Sequence, residues 1–230
     1  MKNLNKILIA AAFFSLAIAF CAYAEEMKTA GKVPAEVSEA VSMAPAAPTP
    51  VEKTTLDNLQ AAFNGESNAH ARYLAFAKKA DAEGYGKAGS LFRAAARAER
   101  VHFERHAKVI KELGGVPTAK IEKPVVKSTA DNLKAAMDGE IYESTVMYPE
   151  FLAKAEKNQI KGAIDAFEDA GAAEAVHASL YKKALENLAA WKGKGKKFEV
   201  CTFCGNVVEK VNFKLCPICG KGKELYVVVR

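Results

Sequence analysis

The feature that most constrains this chain is an internal repeat. The stretch NLQAAFNGE at 58–66 returns as NLKAAMDGE at 132–140, and AERVHFERHAKVIKEL at 98–113 returns as AEAVHASLYKKALENL at 173–188. Each half opens on a capping pair, Thr54-x-x-Asp57 and Ser128-x-x-Asp131, the signature of a helix N-terminus. Each half therefore reads as a helical hairpin, with helices near 55–81, 87–113, 129–157 and 159–190. Gly84 and Gly86 break the first pair, Gly114-Gly115 ends the second helix, and 114–127, with Pro117 and Pro124, crosses over. Two hairpins joined by one long crossover predict a four-helix bundle.

Each of the four helices carries a glutamate in its apolar stripe. Helical spacing puts Glu66 with Leu59, Phe63 and Tyr73, and Glu99 with Phe92, Ala95, His102 and Ile110. Glu140 lies with Leu133, Met137 and Phe151, and Glu174 with Phe167, Ala170, His177, Tyr181 and Leu185. A buried, unpaired carboxylate is costly unless it neutralises or finds a cation, and too few basic residues share these stripes to pair them. The second and fourth helices also carry Glu-x-x-His, Glu99/His102 and Glu174/His177, which places two ligands side by side on one face. One such pair alone is ordinarily solvated. Two at equivalent positions of a duplicated hairpin, each matched to a repeated Gly-Glu, form the ligand set of a carboxylate di-iron or di-manganese site in a ferritin-like bundle. The small neighbours Ala95, Ala96, Gly171 and Ala172 leave room for ions at the centre.

The halves differ in one informative place. Glu66 precedes Tyr73 by seven residues and Glu140 precedes Tyr148 by eight, after which YLAFAKKA and YPEFLAKA align again. The extra residue predicts a π-bulge in the third helix, next to Glu143 and just before Pro149. Such a bulge could swing Glu143 towards the site as a fifth carboxylate. Formal charge gives that group a purpose: Glu66, Glu99, Glu140 and Glu174 balance two ferrous ions, two ferric ions favour adding Glu143, and neutral His102 could replace Glu143 on reduction. Tyr73 and Tyr148, about two turns beyond Glu66 and Glu140, are placed to hydrogen-bond the site. His106, one turn after His102, reads as a residue behind the ligands, and His70 as a helix-surface residue or one behind the ligands rather than a ligand itself.

Outside the bundle, half of the 230 residues are apolar, enough for a real core, and the chain is long enough for one helical domain and a small module. The opening segment has Lys2 and Lys6, an apolar run from Ile7 to about Ala22, and Ala22-Tyr23-Ala24 before Glu25, which reads as a signal peptide cleaved after Ala24 and a periplasmic destination. Membrane anchoring, including lipid attachment at Cys21 behind the bulky Phe20, is the weaker alternative. Cleavage would lower the formal charge from +6 to +4 and leave four cysteines. Residues 25–53 hold four of the eight prolines and no aromatic residue, a flexible spacer. The bundle domain then runs over 54–191, a Gly/Lys linker follows, and the tail at 197–230 carries short β-like runs around Cys201-x-x-Cys204 and Cys216-x-x-Cys219. Paired C-x-x-C knuckles make a tetrahedral thiolate cage, for which spacing alone leaves iron and a zinc ribbon open, and an exported chain adds disulfides as a third reading. Eight Lys/Arg against three Glu in 193–230 read as a solvated face or a docking patch for an acidic redox partner. Without an aromatic-basic stacking pattern, nucleic acid is not the expected partner.

The motifs GESNAHARY, AERVH, GEIYESTVMYP and AEAVH, followed by CTFCG and CPICG, resemble the rubrerythrin family over nearly everything from Thr54 to Arg230. The resemblance implies a ferritin-like bundle followed by a rubredoxin-like β/knuckle domain, with three iron ions per chain. Glu99 and Glu174 would bridge two irons, Glu66 with Glu143 or His102 would hold one, and Glu140 with His177 the other, with one more iron on Cys201, Cys204, Cys216 and Cys219. The tail departs from the rubredoxin pattern in having Asn206 where an aromatic is frequent, and in a short inter-knuckle loop of eleven residues. The implied activity is a peroxidase that reduces hydrogen peroxide to water in oxidative stress defence, with electrons entering through the cysteine iron. The implied assembly is a head-to-tail homodimer in which one subunit's cysteine centre lies near the other's di-iron site. Export departs from the family, so an exported cytochrome or rubredoxin-like carrier is the expected electron donor. The rival readings are a ferritin-like iron oxidase or iron-binding protein with a structural zinc tail, and an oxygen-dependent oxidase.

Overall fold

The computed structural model describes residues 54–230; the export signal read at 1–24 and the spacer at 25–53 lie outside the described residues. Helices α1 (Thr55–Ala82) and α2 (Gly86–Glu112) form the first hairpin. The second consists of α3 (Thr129–Tyr142), a π turn (Glu143–Met147) and α4 (Tyr148–Lys157), which follow one another without a break, and then α5 (Lys161–Glu186). Both capping pairs form. Thr54 Oγ1 accepts from the Asp57 amide at 3.1 Å while Asp57 Oδ2 accepts from the Thr54 amide at 2.9 Å, and Ser128 Oγ accepts from the Asp131 amide at 3.2 Å. Each cap contributes about 1 kcal/mol to its helix.

The crossover has no regular structure but is strapped to α1 by two asparagines. The Asn64 side chain accepts from the Lys120 amide at 2.8 Å, and that of Asn68 accepts from the Glu122 amide, also at 2.8 Å. Glu83 at the end of α1 accepts from the amide and hydroxyl of Thr129, which fixes where the second hairpin starts.

The π turn sits where the repeat gained a residue. Ser144 Oγ donates to the Glu140 carbonyl at 2.7 Å and Thr145 Oγ1 to that of Ile141 at 2.5 Å, serving carbonyls that the widened ladder would leave short of donors. Pro149, with no N–H to give, follows directly.

Two apolar clusters fill the bundle. One holds Leu59, Ile110, Tyr148, Phe151 and Phe167; the other holds Tyr73, Phe76, Phe92, Leu133 and Tyr181 and extends into Trp191, Phe198 and Val200 of the tail. The small domain is thus packed onto the bundle. Helix α5 stops at Glu186, short of the expected 190, and Leu188–Trp191 form a 3-10 turn that sets Trp191 against Phe198, ring centroids 6.4 Å apart. The Gly/Lys segment that follows, expected to be a free linker, is fastened. Gly193 exchanges hydrogen bonds with Gly84 and Gly86 at 2.9 and 3.1 Å, and a Cβ on Gly86 would lie 2.4 Å from the Gly193 carbonyl oxygen, so only glycine allows the approach.

The tail folds into a three-stranded antiparallel sheet in the order β2 (Val207–Val208), β1 (Phe198–Cys201), β3 (Tyr226–Val229). Its two cysteine knuckles are built alike, with Gly205 N donating to Cys201 O and Gly220 N to Cys216 O, both at 3.0 Å. Among the described residues no helix is long and apolar enough to cross a membrane.

Candidate metal centres

Between the two apolar clusters, Glu66, Glu99, His102, Glu140, Glu174 and His177 converge, each at most 1 % exposed. Their ligand atoms fall into two groups, Glu66/Glu99/His102/Glu174 and Glu99/Glu140/Glu174/His177, each within 4.8 Å. Glu99 and Glu174 belong to both groups, so two adjacent ions would share them. His102 Nδ1 lies 2.7 Å from Glu174 Oε1 and 3.0 Å from Glu99 Oε2; His177 Nδ1 lies 2.6 Å from Glu174 Oε2.

The far nitrogens of these rings decide their state. His102 Nε2 lies 3.0 Å from the Cys204 carbonyl oxygen and His177 Nε2 3.1 Å from that of Gly205. A carbonyl can only accept, so each Nε2 carries a proton and Nδ1 is the nitrogen turned to the carboxylates. Against the cost of burial, Glu174 chiefly holds both rings above the usual imidazole value in the metal-free chain, and a cation taking the place of the Nδ1 proton would meet the tautomer a metal ligand needs. These backbone partners were not legible in the sequence, since they depend on how the tail docks. Gly205 makes the contact possible: its φ is +78°, and a Cβ there would lie 2.2 Å from His102 Nε2.

The carboxylates are short of positive charge. Burial first, and then repulsion from neighbouring carboxylates, pushes Glu66 and Glu140 well above the usual range. Glu66 Oε2, Glu99 Oε1 and Glu140 Oε2 have no hydrogen-bond donor among the described residues, and Glu174 meets only the two imidazoles. Buried acceptors in that number fit a pair of cations, and hard carboxylate oxygens with imidazole nitrogens suit iron or manganese.

Both expected tyrosines reach this cluster, and each crosses to the other half of the repeat. Tyr73 donates to Glu140 Oε1 at 2.6 Å and Tyr148 donates to Glu66 Oε1. Behind Tyr148, His106 Nε2 stands 3.1 Å from its hydroxyl. Tyr148 gives its proton to Glu66, so His106 is the donor in that contact. Tyr181, which occupies the position of His106 in the second repeat, is fully buried and its hydroxyl finds no partner among the described residues. The aligned repeats carry the signal for that pairing of positions. His70 instead meets the Ala96 carbonyl at 2.6 Å, outside the cluster.

Glu143 stands on the π turn, half-buried, beside the cluster and in neither four-ligand group. Burial, then Glu174 and Glu99, pushes its carboxyl up to about 8 against the opposing pull of Arg72.

The four cysteines of the tail form a second site. Cys201, Cys204, Cys216 and Cys219 are free thiols with sulfurs within 4.8 Å of one another, which fits a tetrahedral Fe(Cys)4 or zinc site rather than disulfides. Cys204 belongs to this cage and its carbonyl touches His102, so the two centres are one residue apart in contact. The resemblance implies that such a contact is made between subunits; in this structure it is made within one chain.

The rubrerythrin family pattern matches residues 57–185. Nigerythrin of Nitratidesulfovibrio vulgaris (strain Hildenborough) is 37% identical over 174 residues, 75% of this chain and 85% of that protein. Rubrerythrin-2 of Clostridium acetobutylicum is 36% identical over 176 residues, covering 75% and 95%. The structure of fully reduced, all-ferrous nigerythrin superposes with a TM-score of 0.71 at 34% identity, covering 86% of this chain and 100% of that one.

Proposed function

This chain belongs to the rubrerythrin family, and from that premise we propose that it is a non-haem di-iron peroxidase, reducing hydrogen peroxide to water in oxidative stress defence. The observation that carries the reading is the pair of imidazoles that face the carboxylates through Nδ1 and the Cys204–Gly205 backbone through Nε2. A store has no use for that connection; a site that must be refilled with electrons does. Bound to these groups, a ferrous pair supplies two electrons at once and a cysteine-held iron replaces them singly.

The residues divide the work. Glu99 and Glu174 would hold both ions, Glu66 with His102 or Glu143 one of them, and Glu140 with His177 the other. Tyr73 and Tyr148 fix Glu140 and Glu66 in orientation. In the metal-free chain burial, then the charges of Glu174 and Glu99, push Glu143 up to about 8, which favours its protonated form, and water formation consumes two protons for each peroxide. Giving that proton up leaves Glu143 a carboxylate, which suits the extra charge of the oxidised site, whereas neutral His102 suits the reduced one. In the metal-free chain His102 lies against the carboxylates and Glu143 stands aside, as the reduced form of this scheme would have them. Identical coordination in oxidised and reduced crystals would sink the exchange.

The signal-like segment at 1–24 supports a periplasmic location for the protein as part of this proposal. Its donor there is an exported cytochrome or rubredoxin-like carrier that meets the lysine-rich tail. A homodimer that swaps tails would keep the His102–Cys204 contact between subunits. Stopped-flow mixing of the reduced protein with peroxide, and separately with oxygen, is the test. Fast oxidation by peroxide and slow oxidation by oxygen is expected. Slow reaction with peroxide, or zinc in the tail with no electron flow, would favour a ferritin-like iron oxidase.

A further inference from the structure

The two cysteine knuckles are near copies of each other, and one group breaks the match. Cys201 accepts backbone N–H bonds from Phe203 and Cys204, and Cys216 accepts the equivalent pair from Ile218 and Cys219. Cys204 accepts one from Asn206, and Cys219 the equivalent one from Lys221. Cys216 has in addition a hydroxyl: Tyr226 donates to its sulfur at 3.0 Å. Among the described residues no other cysteine has such a donor.

Three features hold that hydroxyl in place. Tyr226 pairs with Cys201 across β1 and β3, so its backbone is fixed to the opposite knuckle. Its ring stands edge-on to Phe213, centroids 5.4 Å apart. Asn206, 1 % exposed, donates its side-chain amide to the Tyr226 oxygen at 2.8 Å, which leaves the single hydroxyl proton for the sulfur, and the same nitrogen makes a longer contact of 3.9 Å with Cys216 Sγ itself. Asn206 is the residue that stands where rubredoxin-like tails frequently have an aromatic, so the departure from that pattern supplies the donor behind Tyr226.

We propose that Tyr226, held by Asn206, is a positioning residue of the cysteine centre whose O–H···S hydrogen bond to Cys216 favours the reduced state of the metal held there. This rests on the reading that the centre holds redox iron. Reduction adds one electron and one negative charge to the thiolate cage, and a donor at sulfur stabilises the more negative state more strongly. A second donor behind the hydroxyl polarises it further.

The test is a potentiometric titration of the full chain followed by its visible spectrum. Tyr226→Phe keeps the ring and its contact with Phe213, and is expected to lower the equilibrium constant for electron uptake about tenfold, which is about 59 mV for one electron. Asn206→Ala should shift it in the same direction by about threefold. An intact spectrum with an unchanged potential in Tyr226→Phe would overturn the proposal, as would an unchanged potential in Asn206→Ala if Tyr226→Phe fails to hold iron. A second measurement needs no substitution: in the cadmium-113-loaded full chain the Tyr226 hydroxyl proton should show scalar coupling to the metal through Cys216. Its absence would overturn the hydrogen bond itself. Its presence, with zinc in the native tail, would leave the bond standing and sink the iron reading instead.

Discussion

The two hairpins of the bundle carry the same ligands and differ in what stands beside them. Glu66 and Glu140, Glu99 and Glu174, and His102 and His177 are matched pairs, as are Tyr73 and Tyr148. Glu143 on its π turn has no counterpart in α1, and His106 is answered by Tyr181. Repetition builds the cage. The departures from repetition give its two ends unlike neighbours, which a site that only stored ions would not need. The tail repeats the pattern on a smaller scale, with two like knuckles and one hydroxyl on Cys216.

The largest effect is expected where the halves share a ligand. Glu99→Gln keeps the shape of the side chain but removes a charge that both ligand groups use, so both ions of the bundle should be lost; Glu66→Gln should cost chiefly one. Metal analysis of the purified proteins separates the two outcomes. Loaded Glu99→Gln should also melt close to its metal-free form. Metal-free Glu99→Gln should be no less stable than the metal-free parent, because burial and mutual repulsion already oppose charge in this cluster. A stability loss in the metal-free state would mean that Glu99 serves the fold rather than the ions.

The next largest effect removes the difference between the halves. Deleting Thr145 restores the seven-residue spacing of the first half and should return the π turn to α-helix, removing the bulge that presents Glu143 while Tyr148 keeps its register. Both ions should still bind. Oxidation of the reduced protein by peroxide should slow by about 100-fold or more, the usual worth of a placed acid or base. A full metal complement with an unchanged rate would show that the asymmetry is idle.

The repeat, the stripe of glutamates and the two Glu-x-x-His pairs were legible because helical periodicity and ligand spacing are local properties. The π turn was legible for the same reason: one inserted residue between aligned segments has few places to go. Local spacing could not show that Tyr73 and Tyr148 cross to the opposite half, since Glu66 and Glu140 lie on the tyrosines' own helical stretches and their real partners arrive only with packing. The anchoring of Gly193 beneath Gly86, and the carbonyls of Cys204 and Gly205 on the histidines, depend on the tail's docking and leave no trace in periodicity. Asn206 stood out only as a departure; its partner Tyr226 looked like one more β-strand residue.

A smaller effect tests the matched tyrosines. Tyr73→Phe and Tyr148→Phe each remove a donor from a buried carboxylate, which should lower iron affinity about 10- to 100-fold at the ion concerned. The two are not expected to be equal. Loss of the Tyr148 hydroxyl also strands His106 Nε2, whereas Tyr181 donates nothing to Tyr73 and loses nothing. Competition with a chelator, read by the visible spectrum, should therefore rank Tyr148→Phe as the weaker binder. Equal losses would mean that His106 adds nothing to the first half.

The smallest effect isolates His106 itself. Its ring is buried against Tyr148 and Phe167 and lowered to about 3, first by burial and then by the charges of His102 and Arg105, so the folded protein keeps it neutral. An unfolded chain protonates the same ring near pH 6.5. Between about pH 6.5 and pH 3 the unfolded state holds the extra proton, so this residue's contribution is whole above that window and drains away as the pH falls through it. At pH 5.5 the loss is about 1.4 kcal/mol. His106→Gln can keep an N–H towards Tyr148 and cannot titrate. The stability of the parent, measured by urea unfolding at pH 7.5 and 5.5, should fall by about that much more than the stability of His106→Gln, because the metal ligands titrate alike in both and cancel. The second half offers the control, since Tyr181 has no proton to gain in this range, and Tyr181→Phe should leave the parent's acid slope as it was.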